Sequence, residues 1–115
     1  MRVALYARVS AHQSAQSQSI EDQLERLRGH VQHQRWELQE DDVFSDDGFS
    51  GATLRRPGLD RLRDAVAASA LDRVLVTAPD RLARNYVHQM VLLEELARFG
   101  CQVEFLDRLD LPGPA

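Results

Sequence analysis

Residues 3–10 read Val-Ala-Leu-Tyr-Ala-Arg-Val-Ser, an apolar run that ends by presenting an arginine and a serine. The run predicts a β-strand over residues 2–7. Because side chains alternate along an extended segment, Arg8 and Ser10 are expected to share one face. The first strand therefore places a cation and a hydroxyl together at its carboxyl end.

A second apolar run, residues 71–77, is followed by Ala-Pro-Asp-Arg-Leu-Ala-Arg-Asn at residues 78–85. The spacing of Arg81 and Arg84 predicts that both lie on one side of a helix. Attack on a phosphodiester suits a hydroxyl surrounded by permanent cations. The target carries charge, and more charge develops on its oxygens during the reaction.

The remaining periodicity alternates strands with helices. This β-α-β-α-β-α-β order predicts an α/β fold of three layers, with a mostly parallel sheet of four to five strands between helices. Functional groups in such sheets lie outside the carboxyl ends of the strands, so Ser10 and Asp80 are expected at one edge. The predicted strands cover 2–7, part of 36–45, 71–77 and 101–106, and the predicted helices cover 19–34, a segment from Pro57, and 81–99, ended by Gly100.

Composition limits the range of functions. The chain has 115 residues, enough for one domain with a single core, and a net charge of −4, which argues against an autonomous DNA binder. All fourteen basic residues are arginine, which genomic base composition alone would explain, but arginine is also the better bidentate ligand for phosphate. A mildly acidic domain with arginines focused at one site suits an enzyme that relies on another module to hold DNA.

The single cysteine, Cys101, excludes an internal disulfide and fits a reducing compartment. It begins an apolar run, so we expect a buried structural thiol. No apolar run approaches the ~20 residues that a membrane span needs. The N-terminus enters a strand directly, without the features of a signal peptide. We therefore expect a cytoplasmic protein.

No strong metal pattern is present. Asp46 and Asp47 form a carboxylate pair that fits either a metal site or a polar turn, and we favour the turn. His30 and His33 share a helix face, but no further Cys or His completes a zinc pattern, so both are expected at the surface. We also expect the polar loop 11–18 and the loop 46–56 to be disordered without DNA.

Four short motifs occur in an informative order. They are YARVS at residues 6–10, SIEDQ at 19–23, DGFSG at 47–51 with Arg56-Pro57, and DRLARN at 80–85. In this order they resemble the serine recombinases of the resolvase and invertase superfamily, and look most like the catalytic domain of its larger members. The resemblance covers about residues 2–106 and implies a resolvase-like fold.

The resemblance also implies a chemistry. Ser10 would attack a DNA phosphodiester, form a 5′-phosphoserine link and release a 3′-hydroxyl, and the ends would later be rejoined. Neither a metal nor a nucleotide cofactor is needed, because the bond energy is kept in the phosphoserine link. The other site residues that the resemblance implies are Arg8, Arg81, Arg84, Asp80, Arg56 and Gln23, with Tyr6 in support.

Several of these residues have a simpler interpretation. Asp80 is either only a helix cap or a group that orients Arg8, Arg81 or Ser10 or transfers a proton. Gln23 either reaches the phosphate, orders the segment around Ser10, or is a surface amide. Tyr6 is expected to pack and hydrogen-bond beside the site. Arg55 is the alternative to Arg56 as a phosphate contact.

The resemblance places further parts after the catalytic domain. Residues 1–106 would form that domain, and 107–115 a tail towards an interface helix and a DNA-binding region. The full-length protein would bind DNA as a homodimer and homotetramer, whereas this fragment would be a monomer that recombines nothing. The rival interpretation is a catalytically inactive, truncated module for binding or regulation. Its receiver-domain version fits poorly, because Arg8 and Ser10 stand where magnesium-binding acids are needed.

Overall fold

The computed structural model describes residues 1–10 and 19–107, in which strands and helices alternate. The predicted polar loop 11–18 and most of the predicted tail 107–115 lie outside the described residues. The elements are β1 (Arg2–Val9), α1 (Ile20–Gln34), β2 (Glu37–Asp47), α2 (Pro57–Ala68), β3 (Arg73–Val76), α3 (Pro79–Leu82), α4 (Tyr86–Arg98) and β4 (Gln102–Phe105).

All neighbouring strands are parallel, in the order β2-β1-β3-β4. The predicted α/β fold with a parallel sheet is therefore confirmed. The chain steps from β1 to β2 in one direction and then crosses back past β1 to β3. This reversal leaves a crevice outside the carboxyl ends of β1 and β3, which is where such sheets bind their ligands. Ser10 and the segment from Ala78 to Arg81 follow those two ends.

Helices cover both faces of the sheet, which explains the apolar run of β1. Alternate side chains of β1 enter different cores: Val3 and Leu5 pack with α1, and Ala4 and Tyr6 pack towards α2 and α4. Helical residues complete the two cores. They are Leu27 and Val31 on the α1 side, and Leu59, Leu62, Val66, Leu92 and Leu96 on the other side.

Local signals set the helix ends as predicted. The Ser19 hydroxyl accepts a 3.0 Å hydrogen bond from the backbone N–H of Asp22 and caps α1. Pro57 occupies the first turn of α2, where a missing N–H costs nothing. Gly100 has a φ of 77° and follows the end of α4, in the left-handed conformation that favours glycine.

The predicted long helix over residues 81–99 is wrong, because the chain forms two helices there. Ala83 is extended, with φ −162° and ψ 143°, and ends α3. The side chain of Asn85 then accepts hydrogen bonds of 2.7 and 3.3 Å from two N–H groups in the first turn of α4. A new cap thus starts a new helix. Arg81 lies in α3 and Arg84 in the linker, so they do not share one helix face.

Two further predictions need correction between β2 and α2. Asp46 and Asp47 belong to the end of β2 and not to a turn. The segment that follows is held in place and not disordered, since the Gly51 carbonyl accepts a 2.9 Å hydrogen bond from the Arg84 N–H. Gly48, with a φ of 86°, makes the turn that leaves the strand.

The predicted surface position of His30 is also wrong. Its ring is half-buried, with Nε2 3.0 Å from Glu104 and its edge against Trp36. His33 is exposed, as predicted. Cys101 is a buried thiol, and burial raises its pKa to about 11, which fits the predicted structural role. Across residues 1–10 and 19–107, the structure contains no helix long and apolar enough to cross a membrane.

Candidate active site

Arg8 lies at the carboxyl end of β1 and has only 1% of its surface exposed. Its guanidinium donates three hydrogen bonds, all to main-chain carbonyls. Nε bonds to Arg81 at 3.0 Å, Nη1 to Phe49 at 3.0 Å and Nη2 to Asp80 at 2.7 Å. Arg8 therefore joins β1 to α3 and to the segment that follows β2.

Gln23 holds the backbone of the same residue. Its Oε1 accepts from the Arg8 N–H at 3.2 Å, and its Nε2 donates to the Arg8 carbonyl at 3.1 Å. The side chain is fully buried, so the interpretation of Gln23 as a surface amide is wrong. The amide completes the backbone hydrogen bonds of β1 two residues before Ser10, which is half-buried just past the strand.

Arg56 is the second fully buried arginine at this edge. Nε donates to the Thr53 carbonyl at 3.0 Å, and Nη1 donates to the Tyr6 hydroxyl at 3.0 Å. Nη2 donates to the Leu82 carbonyl. No part of the Arg56 side chain faces solvent here, whereas Arg55 beside it is exposed. Tyr6 is a buried, hydrogen-bonded residue, and burial raises its pKa well above the usual range.

Asp46 is a site residue that the sequence reasoning missed. The carboxylate is buried and accepts the Tyr6 hydroxyl at 2.7 Å. It also accepts the backbone N–H groups of Gly58 at 2.7 Å and Leu59 at 2.9 Å, at the positive end of α2. A signal was present, because Arg56 cannot cap α2 with its side chain. A helix that starts without a capping side chain needs an acceptor from elsewhere.

The three residues predicted around α3 have different environments. Arg81 is almost buried, and its Nη1 donates to the Arg8 carbonyl at 3.2 Å. Arg84 is exposed. Asp80 is also exposed, and Ala78, not Asp80, stands at the N-cap of α3, so the capping interpretation of Asp80 is wrong.

The edge concentrates positive charge. Burial lowers the pKa of Arg8, and the nearby charges of Arg56 and Arg81 lower it further, while Asp80 opposes them. Guanidinium groups still remain protonated in proteins. Within the described part of the chain, neither Arg8 nor Arg56 forms an ion pair. The arrangement can therefore receive an anion with several oxygens. No group of three or more potential metal ligands occurs in the same residues.

Known proteins are similar to this chain in sequence and in fold. The family described as "Resolvase, N terminal domain" matches residues 3–115. The chain belongs to this family. The resolvase-type chain has the fold of the N-terminal catalytic domain of TP901-1 integrase, with a TM-score of 0.83 and 32% identity over 93% of this chain and 78% of that one.

Two other relatives agree with this assignment. The C-terminal catalytic domain of ISC1926 TnpA, an IS607-like serine recombinase, matches with a TM-score of 0.79 and 29% identity, over 92% of this chain and 70% of that one. A Bacillus subtilis (strain 168) protein named "Putative DNA recombinase" is 32% identical over 108 residues, which are 91% of this chain. The chain spans 20% of the length of that relative. The identification as a serine recombinase catalytic domain is confirmed.

Proposed function

We propose that this domain cuts and rejoins DNA at specific sites, with Ser10 as the nucleophile. One observation carries the proposal: buried guanidinium groups surround the end of β1, two residues before Ser10, and bond to neutral acceptors. A phosphodiester entering the crevice would supply the negative charge that these groups lack. The similarity to serine recombinases supports the same reaction.

In the proposed reaction, one phosphoester bond forms as another breaks. The Ser10 Oγ attacks the phosphorus while the bond to the 3′ oxygen breaks, which leaves a 5′-phosphoserine and a free 3′-hydroxyl. The serine gives up one proton and the leaving oxygen gains one. Rejoining is the reverse attack by a 3′-hydroxyl, so the cycle needs neither ATP nor a metal, and its direction depends on assembly.

The arginines divide into two roles. Arg84 is exposed and can therefore contact an incoming phosphate. Arg8 is buried and uses three of its five N–H groups on carbonyls, so it acts on the phosphate through its charge, to which Arg81 beside it adds. The Asp80 carboxylate favours the charged form of Arg8, and the Asp80 carbonyl orients the guanidinium. We assign the three arginines to stabilising the negative charge that develops during attack, and Asp80 to holding Arg8.

The buried polar residues act through others. Arg56 fixes the Tyr6 hydroxyl and the end of α3, because its donors are used inside the fold. Gln23 sets the backbone of Arg8 and therefore the approach of the chain to Ser10. We propose that both position the site and do not touch DNA in the arrangement described.

The domain is proposed to act within a longer, oligomeric protein. Residues 1–106 form the catalytic domain, and 107–115 lead to segments that carry the subunit interface and DNA recognition. A net charge of −4 supports this division, because phosphate affinity must come from another module. The partners are then DNA and further copies of the protein as dimers and tetramers, in the cytoplasm.

A covalent-adduct assay tests the proposal. The chain is joined to its native C-terminal region or to a surrogate DNA-binding domain, incubated with nicked suicide-substrate DNA, and quenched in detergent. We expect a protein–DNA adduct that peptide mapping assigns to Ser10 and that Ser10→Ala abolishes. Ser69→Ala, at the end of α2, is the matched control and keeps the adduct. An adduct on any other residue, or none on a cognate site with dimer contacts restored, would reject the proposal.

A further inference from the structure

Gly51 occupies a position where space, and not backbone conformation, requires glycine. It is buried, and its φ lies outside the left-handed region, unlike those of Gly48 and Gly100. A Cβ added at Gly51 would stand 2.7 Å from Arg8 Nη2 and 2.7 Å from Arg84 Cγ. Both separations are below van der Waals contact, so an alanine would displace one or both arginines.

Arg8 cannot move away without losing a hydrogen bond, and the main chain of Arg84 is also held. Arg8 Nη2 is held by the Asp80 carbonyl at 2.7 Å. The crowded atom of Arg84 is Cγ, close to its backbone, and the Arg84 N–H donates to the Gly51 carbonyl at 2.9 Å. The Phe49 carbonyl accepts from Arg8 Nη1 at 3.0 Å. Residues 49–51, which we call the clamp segment, therefore hold both arginines at once.

We propose that Gly51 is a positioning residue for cleavage. By lacking a side chain, it lets the clamp segment close between Arg8 and Arg84 and fixes the separation of the two guanidinium groups. This inference rests on the proposed function, because the groups positioned are those assigned to the phosphate. It adds to the four motifs the requirement that the guanidinium groups of Arg8 and Arg84 lie at one fixed separation.

Arginine modification tests the packing without DNA. Phenylglyoxal reacts with accessible guanidinium groups, and peptide mapping of residues 1–115 reports each site. In the unaltered chain, exposed Arg55 reacts and buried Arg8 is protected. We expect Gly51→Ala to make Arg8 reactive. Gly29→Ala is the matched control, since a Cβ there meets nothing within 4 Å, and Gly48→Ala separates backbone strain from crowding.

Cleavage by the extended protein tests the role. A displacement near 1 Å at a reacting centre can cost about 100-fold in rate, and we expect a loss of that order in adduct formation by Gly51→Ala with DNA affinity unchanged. In an Arg84→Ala background the crowded Cγ is absent. The same glycine substitution should therefore cost less there, and the two changes should not be additive. The double variant removes one of the two crowded contacts, so it should be less destabilised than Gly51→Ala if crowding unfolds that variant.

The outcomes separate the two proposals. If the unaltered protein forms the Ser10 adduct and Gly51→Ala forms it at the same rate, the positioning role is wrong and the proposed function stands. Equal costs of Gly51→Ala with and without the Arg84 side chain would reject the joint positioning of both arginines, since the contact with Arg84 Cγ would then contribute nothing. If the unaltered protein forms no adduct, the proposed function fails and the positioning role fails with it.

Discussion

Arginines in two regions of this molecule bond to different partners. Between α2 and α4, Arg63 forms two hydrogen bonds with the Glu95 carboxylate, at 2.7 and 2.5 Å. At the carboxyl edge of the sheet, Arg8 bonds to three neutral carbonyls. A carboxylate cancels the charge of the cation it binds, whereas carbonyls hold the cation and leave its charge. Carboxylates also pair with Arg2, Arg26, Arg28 and Arg73, all outside the candidate site.

The pKa shifts of the two regions run in opposite directions. The hydrogen bond to Glu95 raises the pKa of Arg63, while burial and neighbouring cations lower that of Arg8. Between α2 and α4, the charges of Arg63 and Glu95 neutralise each other. At the sheet edge, the buried charge of Arg8 carries a free-energy cost that a bound phosphate would offset. A neutral acceptor therefore leaves the charge of a buried arginine available to a bound anion, whereas a carboxylate cancels it.

The largest predicted effect is on the rate of adduct formation, which should depend on Arg8 at the sheet edge and not on Arg63 between α2 and α4. We expect Arg8→Lys to slow adduct formation by about 10³-fold, the lower end of what single arginines contribute to phosphoryl transfer. Lysine keeps the charge but lacks the planar fork of N–H groups that reaches all three carbonyls from one side chain. Arg63→Lys is the matched control and should retain the rate. Comparable losses of rate in both variants would show that the two arginines do not differ in function.

A smaller effect should appear in stability at the edge itself. Asp46→Asn replaces an oxygen that accepts hydrogen bonds by an N–H₂ group facing N–H or O–H donors. Leaving such buried partners unsatisfied should cost about 3 kcal/mol in the free energy of unfolding. Asp47→Asn is exposed and should change it by less than about 0.5 kcal/mol. Chemical denaturation measures both, and equal values would show that Asp46 does not anchor α2.

The smallest effect concerns pH and the pair between α2 and α4. The hydrogen bond from Arg63 lowers the pKa of Glu95, so the folded state binds that proton less readily than the unfolded chain. The pair therefore stabilises fully above the ordinary glutamate pKa, and its contribution disappears as pH falls through the lowered folded value. Glu95→Gln should cost about 1 kcal/mol at neutral pH and less in acid. A constant difference between the two proteins in denaturation at both pH values would contradict this.

The sequence alone determined the elements that depend on neighbouring residues. The apolar run of β1, the Ser19 cap of α1 and the periodic side chains of α2 are local signals, and each predicted its element. The βαβ order then placed Ser10 and the start of α3 at one edge, because parallel strands share their carboxyl ends. The motifs identified the family because each is a short, local stretch at a strand or helix end.

Only the tertiary structure decided the partners of the buried polar groups. Gln23 bonds to a residue 15 positions away, Tyr6 to Asp46 40 positions away, and Arg56 to Tyr6 50 positions away. Near Ala83, the Gly51 carbonyl holds the backbone of the linker between α3 and α4. The periodicity of the sequence did not reveal this break, so it predicted one helix where the structure has two. Pattern and propensity act within a few residues, whereas the free energy of burying a charge depends on which distant acceptors the packed core brings to it.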